Sequence, residues 1–193
     1  MNLNKYLTEV TLDGDEELNG FFDNTLKQIF SSAYYNKIEN TLDKIKLSYY
    51  NNPKDRAAAY IKEGNNKVIY INRYFFDKFN REKKMEFLVH EFFHILQQTK
   101  SFIFEKKFKE IIELDNKISN AILPYLKGSI TSFLTGQISE TVNHPNYEML
   151  SYIVGNRSAD WDKIGPKGKK LVQELIEASG IFNTSSSYWK KVF

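Results

Sequence analysis

The chain contains no cysteine and little histidine, and both shortages restrict the chemistry open to it. None of its 193 residues is a cysteine, so disulfide bridges and thiolate metal sites are excluded. A metal site in this chain has to be built from His, Asp or Glu side chains. Only three histidines occur, at positions 90, 94 and 144, and two of them fall within one short segment.

The chain also lacks a strong charge imbalance and a long hydrophobic run. Its formal net charge of +3 is too small to indicate a nucleic acid or a membrane surface as partner. No apolar stretch approaches the length of a transmembrane helix, and Met1 to Val10 has no apolar core of signal-peptide length. We therefore expect a cytoplasmic protein, with a secreted mature form as the alternative. The sequence does not indicate an oligomeric state.

The main functional signal is the segment His90-Glu91-Phe92-Phe93-His94, which has the form H-E-x-x-H. Residues four apart lie on the same face of a helix, so both imidazoles can point at a single metal ion. Glu91 is rotated by about 100° and can reach a water beside the ion without binding the ion itself. The pattern predicts a catalytic zinc site with two nitrogen ligands, an open position and a carboxylate base. The alternative interpretation is a solvated polar face that carries two histidines.

The helix that bears this motif is expected to have two distinct faces. Apolar side chains fill one arc, and the motif lies on the other arc with Glu86, Gln97 and Gln98. Asn80 is a candidate N-cap, and the helix is expected to run to about Thr99. The spacing thus predicts that the apolar face is buried and that the motif turns to the opposite side.

The remaining pattern predicts one α+β domain, with a small sheet and the motif helix in residues 1–100 and a mainly helical part in residues 101–193. Hydrophobic residues at 41% and charged residues at 26% are ordinary for a globular fold. The expected strands are Ile45–Tyr50, Ala57–Ile61 and Val68–Asn72, the last two forming a hairpin. The other expected helices are Glu16–Asp43, Phe102–Leu123, Pro145–Val154 and Pro166–Ser179, and Gly128–Gly136 is expected to be a loop.

A strand shortly before a helix with H-E-x-x-H resembles the zincin metallopeptidases, specifically over residues 68–98 and loosely elsewhere. Gln97, three residues beyond the second histidine, makes the segment similar to compact bacterial and phage proteins of the gluzincin type. Metzincins extend the motif with a glycine and a third histidine, where this chain has Gln97 and Lys100, so that group is disfavoured. The resemblance implies a zincin-like fold in which a sheet strand offers backbone hydrogen bonds to an extended peptide.

The resemblance also implies a third metal ligand, a carboxylate on a following helix, for which Glu148 is the preferred candidate. On that helix Glu148, Ser151 and Tyr152 are expected to lie opposite an apolar arc. His144 is the alternative ligand. If Glu148 binds the metal, His144 becomes a candidate to stabilise the oxyanion of the tetrahedral intermediate, as do Tyr147 and Tyr152.

Asp115 is a further candidate, because it interrupts an apolar stripe where a carboxylate should have a partner. The stripe consists of Phe104, Phe108, Ile111, Ile118 and Ile122. Three interpretations of Asp115 are open. It is a metal ligand, it supports a zinc-bound histidine, or its place in the stripe shows that the helix has been predicted in the wrong register.

These features together predict a zinc-dependent metallopeptidase acting on a peptide or protein substrate. Zinc is held by His90, His94 and Glu148 in this hypothesis, and Glu91 is the general base. Two alternatives remain: a zincin-fold module that binds a peptide or protein without cleaving it, and a regulatory protease of narrow specificity. The intact Glu91 argues against the first alternative, because a pure binding protein does not need the base.

Overall fold

The computed structural model describes residues 9–42, 44–55, 58–61, 67–97, 108–125, 148–155 and 164–193, without the side chains of Leu123, Glu148 and Lys191. The strands are β1 (Leu12–Asp13), β2 (Ile45–Tyr50), β3 (Ala59–Ile61) and β4 (Val68–Asn72). The helices are α1 (Glu16–Ile29), α2 (Ser32–Glu39), α3 (Arg73–Phe76), α4 (Arg81–Gln97), α5 (Lys109–Ile122), α6 (Glu148–Val154) and α7 (Gly165–Ser179), with 3₁₀ turns at Leu123–Tyr125 and Trp189–Lys191. This mixture of helices with one small sheet confirms the expected α+β class.

The four strands form one mixed sheet in the order β1-β2-β4-β3. The strands β1, β2 and β4 are parallel, and β3 pairs antiparallel with β4 along one edge. The predicted bounds of β2 and β4 are confirmed, and so is the antiparallel pairing of the predicted hairpin. The described part of β3 begins at Ala59, and position 57, where it was expected to begin, lies outside the described residues. The strand β1 was not predicted, because two residues are too few to show an alternating pattern.

The single helix expected over Glu16–Asp43 is wrong, because the chain breaks between α1 and α2. Phe30 is extended at the break, with φ −95° and ψ 149°. The amide of Ser31 donates to the carbonyl of Ile181 at 2.9 Å, so the C-terminal segment of the chain pairs with the broken backbone. Local spacing could not reveal this break, since the partner that stabilises it comes from the other end of the chain.

The motif helix α4 lies at the centre of the core. Its apolar arc is buried as expected, and the ring of Phe93 stacks on that of Phe30 with centroids 5.5 Å apart. The predicted cap is confirmed, because the amide of Lys83 donates to Asn80 Oδ1 at 2.8 Å. The described helix ends at Gln97, and the expected end near Thr99 lies outside the described residues. The helices α5 and α6 pack against α4, and the motif residues on its other arc are buried together with Gln97, while Glu86 is half-buried.

The helices after α4 follow the predicted pattern with small differences: Phe108 is a bend outside α5, and α7 begins at Gly165, one residue before the expected Pro166. The described parts of α5 and α6 lie within the expected helices, whose starts at residues 102–107 and 145–147 fall outside the described residues. The helix α7 ends at Ser179, and Gly180 takes a left-handed conformation with φ 66°, which confirms the predicted glycine stop. The expected loop Gly128–Gly136 lies outside the described residues. None of the described helices combines the length and the apolarity needed to cross a bilayer.

Candidate metal centre

The two motif histidines bring their Nε2 atoms together. His90 Nε2 and His94 Nε2 are 3.1 Å apart, and the two rings are nearly perpendicular at 86°. Two nitrogens that bind one tetrahedral zinc ion at about 2.0–2.1 Å lie roughly 3.3–3.4 Å from each other. The separation in the structure is thus within a few tenths of an ångström of the value that a shared cation needs. The same contact is short enough for a hydrogen bond in which one ring donates to the other.

All three polar residues of the motif are buried. His90 is 4% exposed, Glu91 is 6% exposed and His94 is 5% exposed. Helices α5 and α6 lie against the side of α4 from which the motif projects. This burial contradicts the interpretation of a solvated polar face. Polar groups that leave water in this way need compensating partners, so the surroundings of the pair decide what it can do.

His94 is supported on its far side by α6. Ser151 Oγ lies 3.5 Å from His94 Nδ1, on the nitrogen that faces away from His90. At the same time Ser151 Oγ donates a hydrogen bond to Gln97 Oε1 at 3.0 Å. The contact with His94 is the longest of this set, and it lies at the outer limit for a hydrogen bond.

Asp115 anchors this set of contacts from α5. Its Oδ2 accepts a hydrogen bond from Gln97 Nε2 at 3.0 Å, and its Oδ1 accepts one from the amide of Leu150 at 2.8 Å. Asp115 and Ser151 are both 0% exposed. The carboxylate in the apolar stripe therefore has the partners that its burial demands, and it reaches His94 through Gln97 and Ser151. We call Asp115, Gln97 and Ser151 the relay.

His90 is also supported by α6. The ring of Tyr152 packs against the ring of His90 with centroids 4.9 Å apart and an angle of 66° between the planes. Gly155 follows one turn later, where an added Cβ would lie 3.1 Å from His90 Cβ and 3.1 Å from the carbonyl oxygen of Glu86. The glycine thus allows α6 to approach α4 at the level of the histidines. Tyr152 lies at the site, and its predicted role on the oxyanion stays a prediction.

The C-terminal end of α6 is fixed by Tyr188. Its hydroxyl donates a hydrogen bond to the carbonyl of Val154. Burial raises the pKa of Tyr188 above its ordinary value, and the nearby carboxylate of Glu86 raises it further. The hydroxyl therefore stays protonated and able to donate at neutral pH. Hydrogen bonds thus hold α6 in place along its length, at the amide of Leu150, the side chain of Ser151 and the carbonyl of Val154.

Of three predicted site residues, the structure describes one in part and two not at all. Glu148 is the first residue of α6, but its side chain lies outside the described part, and His144 and Tyr147 lie outside it entirely. Among the described residues, no group of three or more His, Cys, Asp or Glu side chains is arranged to hold a metal ion. The ligand roles expected for His90, His94, Glu148 and His144 therefore stay predictions.

Sequence reasoning missed Ser151, Gln97 and Gly155 as parts of the site. The available signal is that helical spacing places Ser151 and Gln97 on the same helix faces as the predicted ligands. Their hydrogen bonds connect three different helices, and one sequence does not indicate which side chains meet across such a contact. Comparison of the chain with protein-family models, with curated proteins and with solved structures finds no match.

Proposed function

We propose that this protein is a zinc-dependent metallopeptidase, with His90 and His94 as metal ligands and Glu91 as the general base. The observation that carries the proposal is the convergence of two buried Nε2 atoms at 3.1 Å on one helix face. A purely structural pair of histidines has no need of such a common focus, whereas two nitrogen ligands of one metal ion require it.

The described donors fit zinc by their chemistry. Neutral imidazole is a common zinc ligand, and a second partner on the other ring nitrogen usually sets its orientation. His94 has such a partner in Ser151 on its Nδ1 side. The buried surroundings favour a bound cation further, because few waters compete for its charge.

Glu148 is the third ligand in this proposal. It is one helical turn before Ser151 and Tyr152, the two residues through which α6 contacts His94 and His90. Residues three and four apart share a helix face, so position 148 belongs to the face of α6 that meets the histidines. A carboxylate from this position would complete a His, His, Glu set and leave one position open. His144 remains the alternative.

The chain's own residues divide the work of peptide hydrolysis. Zinc, when bound, would polarise the scissile carbonyl and lower the pKa of a water molecule towards about 7. Glu91 would accept the proton that the attacking water loses and then deliver it to the leaving amine. Tyr152 and His144 are candidates to donate a hydrogen bond to the oxyanion.

The sheet supports a peptide as the substrate. The strand β3 is the antiparallel edge of the sheet, and it lies against α4. An edge strand can pair with an extended peptide through backbone hydrogen bonds, which would hold the chain alongside the motif helix. This arrangement agrees with the zincin-like fold implied by the H-E-x-x-H segment, which we include in the proposal.

The first test is Glu91→Gln in the zinc-loaded protein, assayed on a peptide library. The amide keeps the size of the buried side chain but cannot accept the proton, so we expect full zinc content and a rate at least about 10²-fold lower. The control is Glu82→Gln, which changes the same residue type in the first turn of α4, away from the site. A Glu91→Gln variant as active as the control would remove Glu91 from the mechanism.

The second test separates hydrolysis from binding alone. The wild-type protein is treated with a chelator, reloaded with zinc and incubated with the same library. A peptidase loses cleavage with the metal and recovers it on reloading. Zinc binding and peptide capture without any cleavage would instead identify a module that binds its partner, and the peptidase proposal would then be wrong.

A further inference from the structure

We propose that Asp115 sets the tautomer of His94, that is, which ring nitrogen carries the proton, because the relay transmits the direction of its hydrogen bonds to that ring. In this proposal the relay residues are positioning residues that do not touch the metal or the substrate. The inference deepens the proposed zinc site, but its central measurement is made on the protein without metal.

The direction of each hydrogen bond follows from which of the groups carry a proton to donate. Both carboxylate oxygens of Asp115 accept hydrogen bonds, and Gln97 turns its amide nitrogen towards Oδ2 at 3.0 Å. The carbonyl oxygen of Gln97 then faces Ser151 and accepts the single hydroxyl proton of that serine. Ser151 has no second proton to offer and can only accept from His94.

His94 is therefore protonated on Nδ1 and carries its lone pair on Nε2. That lone pair points towards His90 Nε2, which is 3.1 Å away. A metal ligand needs this tautomer, because only an unprotonated nitrogen can bind a cation. In the metal-free protein the same lone pair can accept a hydrogen bond from the N–H of His90 Nε2, which fits the 3.1 Å contact between the rings.

The relay also joins the two halves of the candidate site. The second carboxylate oxygen of Asp115 accepts from the amide of Leu150, near the start of α6. One buried side chain on α5 thus orients His94 on α4 and holds the first turn of the helix that begins with Glu148. A carboxylate at position 115 does both, because each of its oxygens accepts one N–H.

The sharpest consequence concerns Asp115→Asn, which changes one oxygen into an NH₂ group without changing the size of the side chain. The remaining oxygen still accepts from Leu150, so the new NH₂ group faces Gln97. Gln97 then has to turn its oxygen towards position 115 and its NH₂ group towards Ser151. Ser151 accepts from Gln97 and donates to His94 Nδ1, which moves the ring proton of His94 to Nε2.

The test is a two-bond ¹H–¹⁵N correlation spectrum of the histidine rings in the chelator-treated full-length chain, at a pH well above 6.5 where neutral rings dominate. The ring signals are assigned by replacing each of the three histidines in turn. We expect the Nδ1–H tautomer for His94 in the wild type and the Nε2–H tautomer in Asp115→Asn. Zinc affinity, measured against a competing chelator, should fall about 10–100-fold in the variant.

Two further variants keep the test decisive. Ser151→Ala removes the acceptor for His94 while leaving Asp115 paired, and it should give a mixture of tautomers and weaker zinc binding. Ser179→Ala is the matched control, since that hydroxyl bonds to the carbonyl of Ile176 in α7. An Nε2–H tautomer in the wild type, or an Nδ1–H tautomer unchanged in Asp115→Asn, would overturn the inference. Loss of cleavage with the expected tautomers would contradict only the proposed peptidase.

Discussion

Replacing Gly155 by alanine tests whether the close approach of α6 to α4 builds the site. The added Cβ would lie 2.9 Å from Ser151 O within α6, and 3.1 Å from both Glu86 O and His90 Cβ on α4. Carbon atoms pack best at about 3.5–4.0 Å, so the two helices would have to separate by roughly half an ångström. None of the three contacts can be relieved by rotating a side chain, since two of the atoms are backbone oxygens and the third is a Cβ.

Two opposing effects determine how much Gly155→Ala changes the free energy of unfolding. Overpacking of a well-filled interior costs about 1–3 kcal/mol. The alanine also restricts the unfolded chain, which offsets about 0.4–1 kcal/mol. We expect a net loss of about 1–2 kcal/mol in the free energy of unfolding, and a melting temperature lowered by about 2–8 °C for a chain of this size. Zinc affinity should fall about tenfold or more, because Ser151 and Tyr152 move with α6.

The matched control is Gly20→Ala. Gly20 is exposed in α1, and an added Cβ would meet nothing within 4 Å. This variant should be more stable by about 0.5–1 kcal/mol, because alanine favours a helix interior. Thermal unfolding followed by circular dichroism, with and without chelator, measures both variants. A Gly155→Ala protein as stable as Gly20→Ala, with wild-type zinc affinity, would refute the tight contact between α6 and α4.

Three further predictions follow from the same structure. Removing a nitrogen ligand with His94→Ala should abolish stoichiometric zinc binding measured by metal analysis, and a fully loaded variant would contradict its ligand role. Glu148→Gln should weaken zinc binding far more than His144→Gln in chelator competition, and the reverse order would exchange their roles. Burial, aided by Asp23, raises the pKa of Tyr35 above its ordinary value near 10. The folded state should therefore keep its full stability below about pH 10 and lose some of it at higher pH, where the unfolded tyrosine ionises. Urea unfolding at pH 9 and pH 11 should show a smaller loss in Tyr35→Phe, and an equal loss would exclude this contribution.

The predictions that held depend on spacing within a single element. The bounds of β2 and β4, the Asn80 cap of α4 and the glycine stop after α7 all follow from side chains a few residues apart. The break at Phe30 did not follow, because its backbone partner Ile181 is remote in the chain. Local patterns report local hydrogen bonding, and pairing between distant segments leaves no period in the sequence.

Within the site, Asp115 shows the same difference between what local sequence predicts and what the packing of distant segments decides. Its place in an apolar stripe marked it as a carboxylate in need of a partner, but three interpretations of its role remained open. The contacts of Asp115 with Gln97 and Leu150 join α5 to α4 and α6, and they exist only once these helices are packed. A buried charge in a sequence therefore predicts that partners exist without predicting which side chains they are.

The sequence by itself determined that two histidines and a glutamate share one helix with the spacing of a metal site. This was possible because the number of residues per helical turn fixes which side chains share a face of the helix. Tertiary structure alone decided that this face is buried, that α6 supports both imidazoles, and that Asp115 is connected to His94 through two intervening side chains. These properties depend on the distances between helices, which are set by the packing of the whole core.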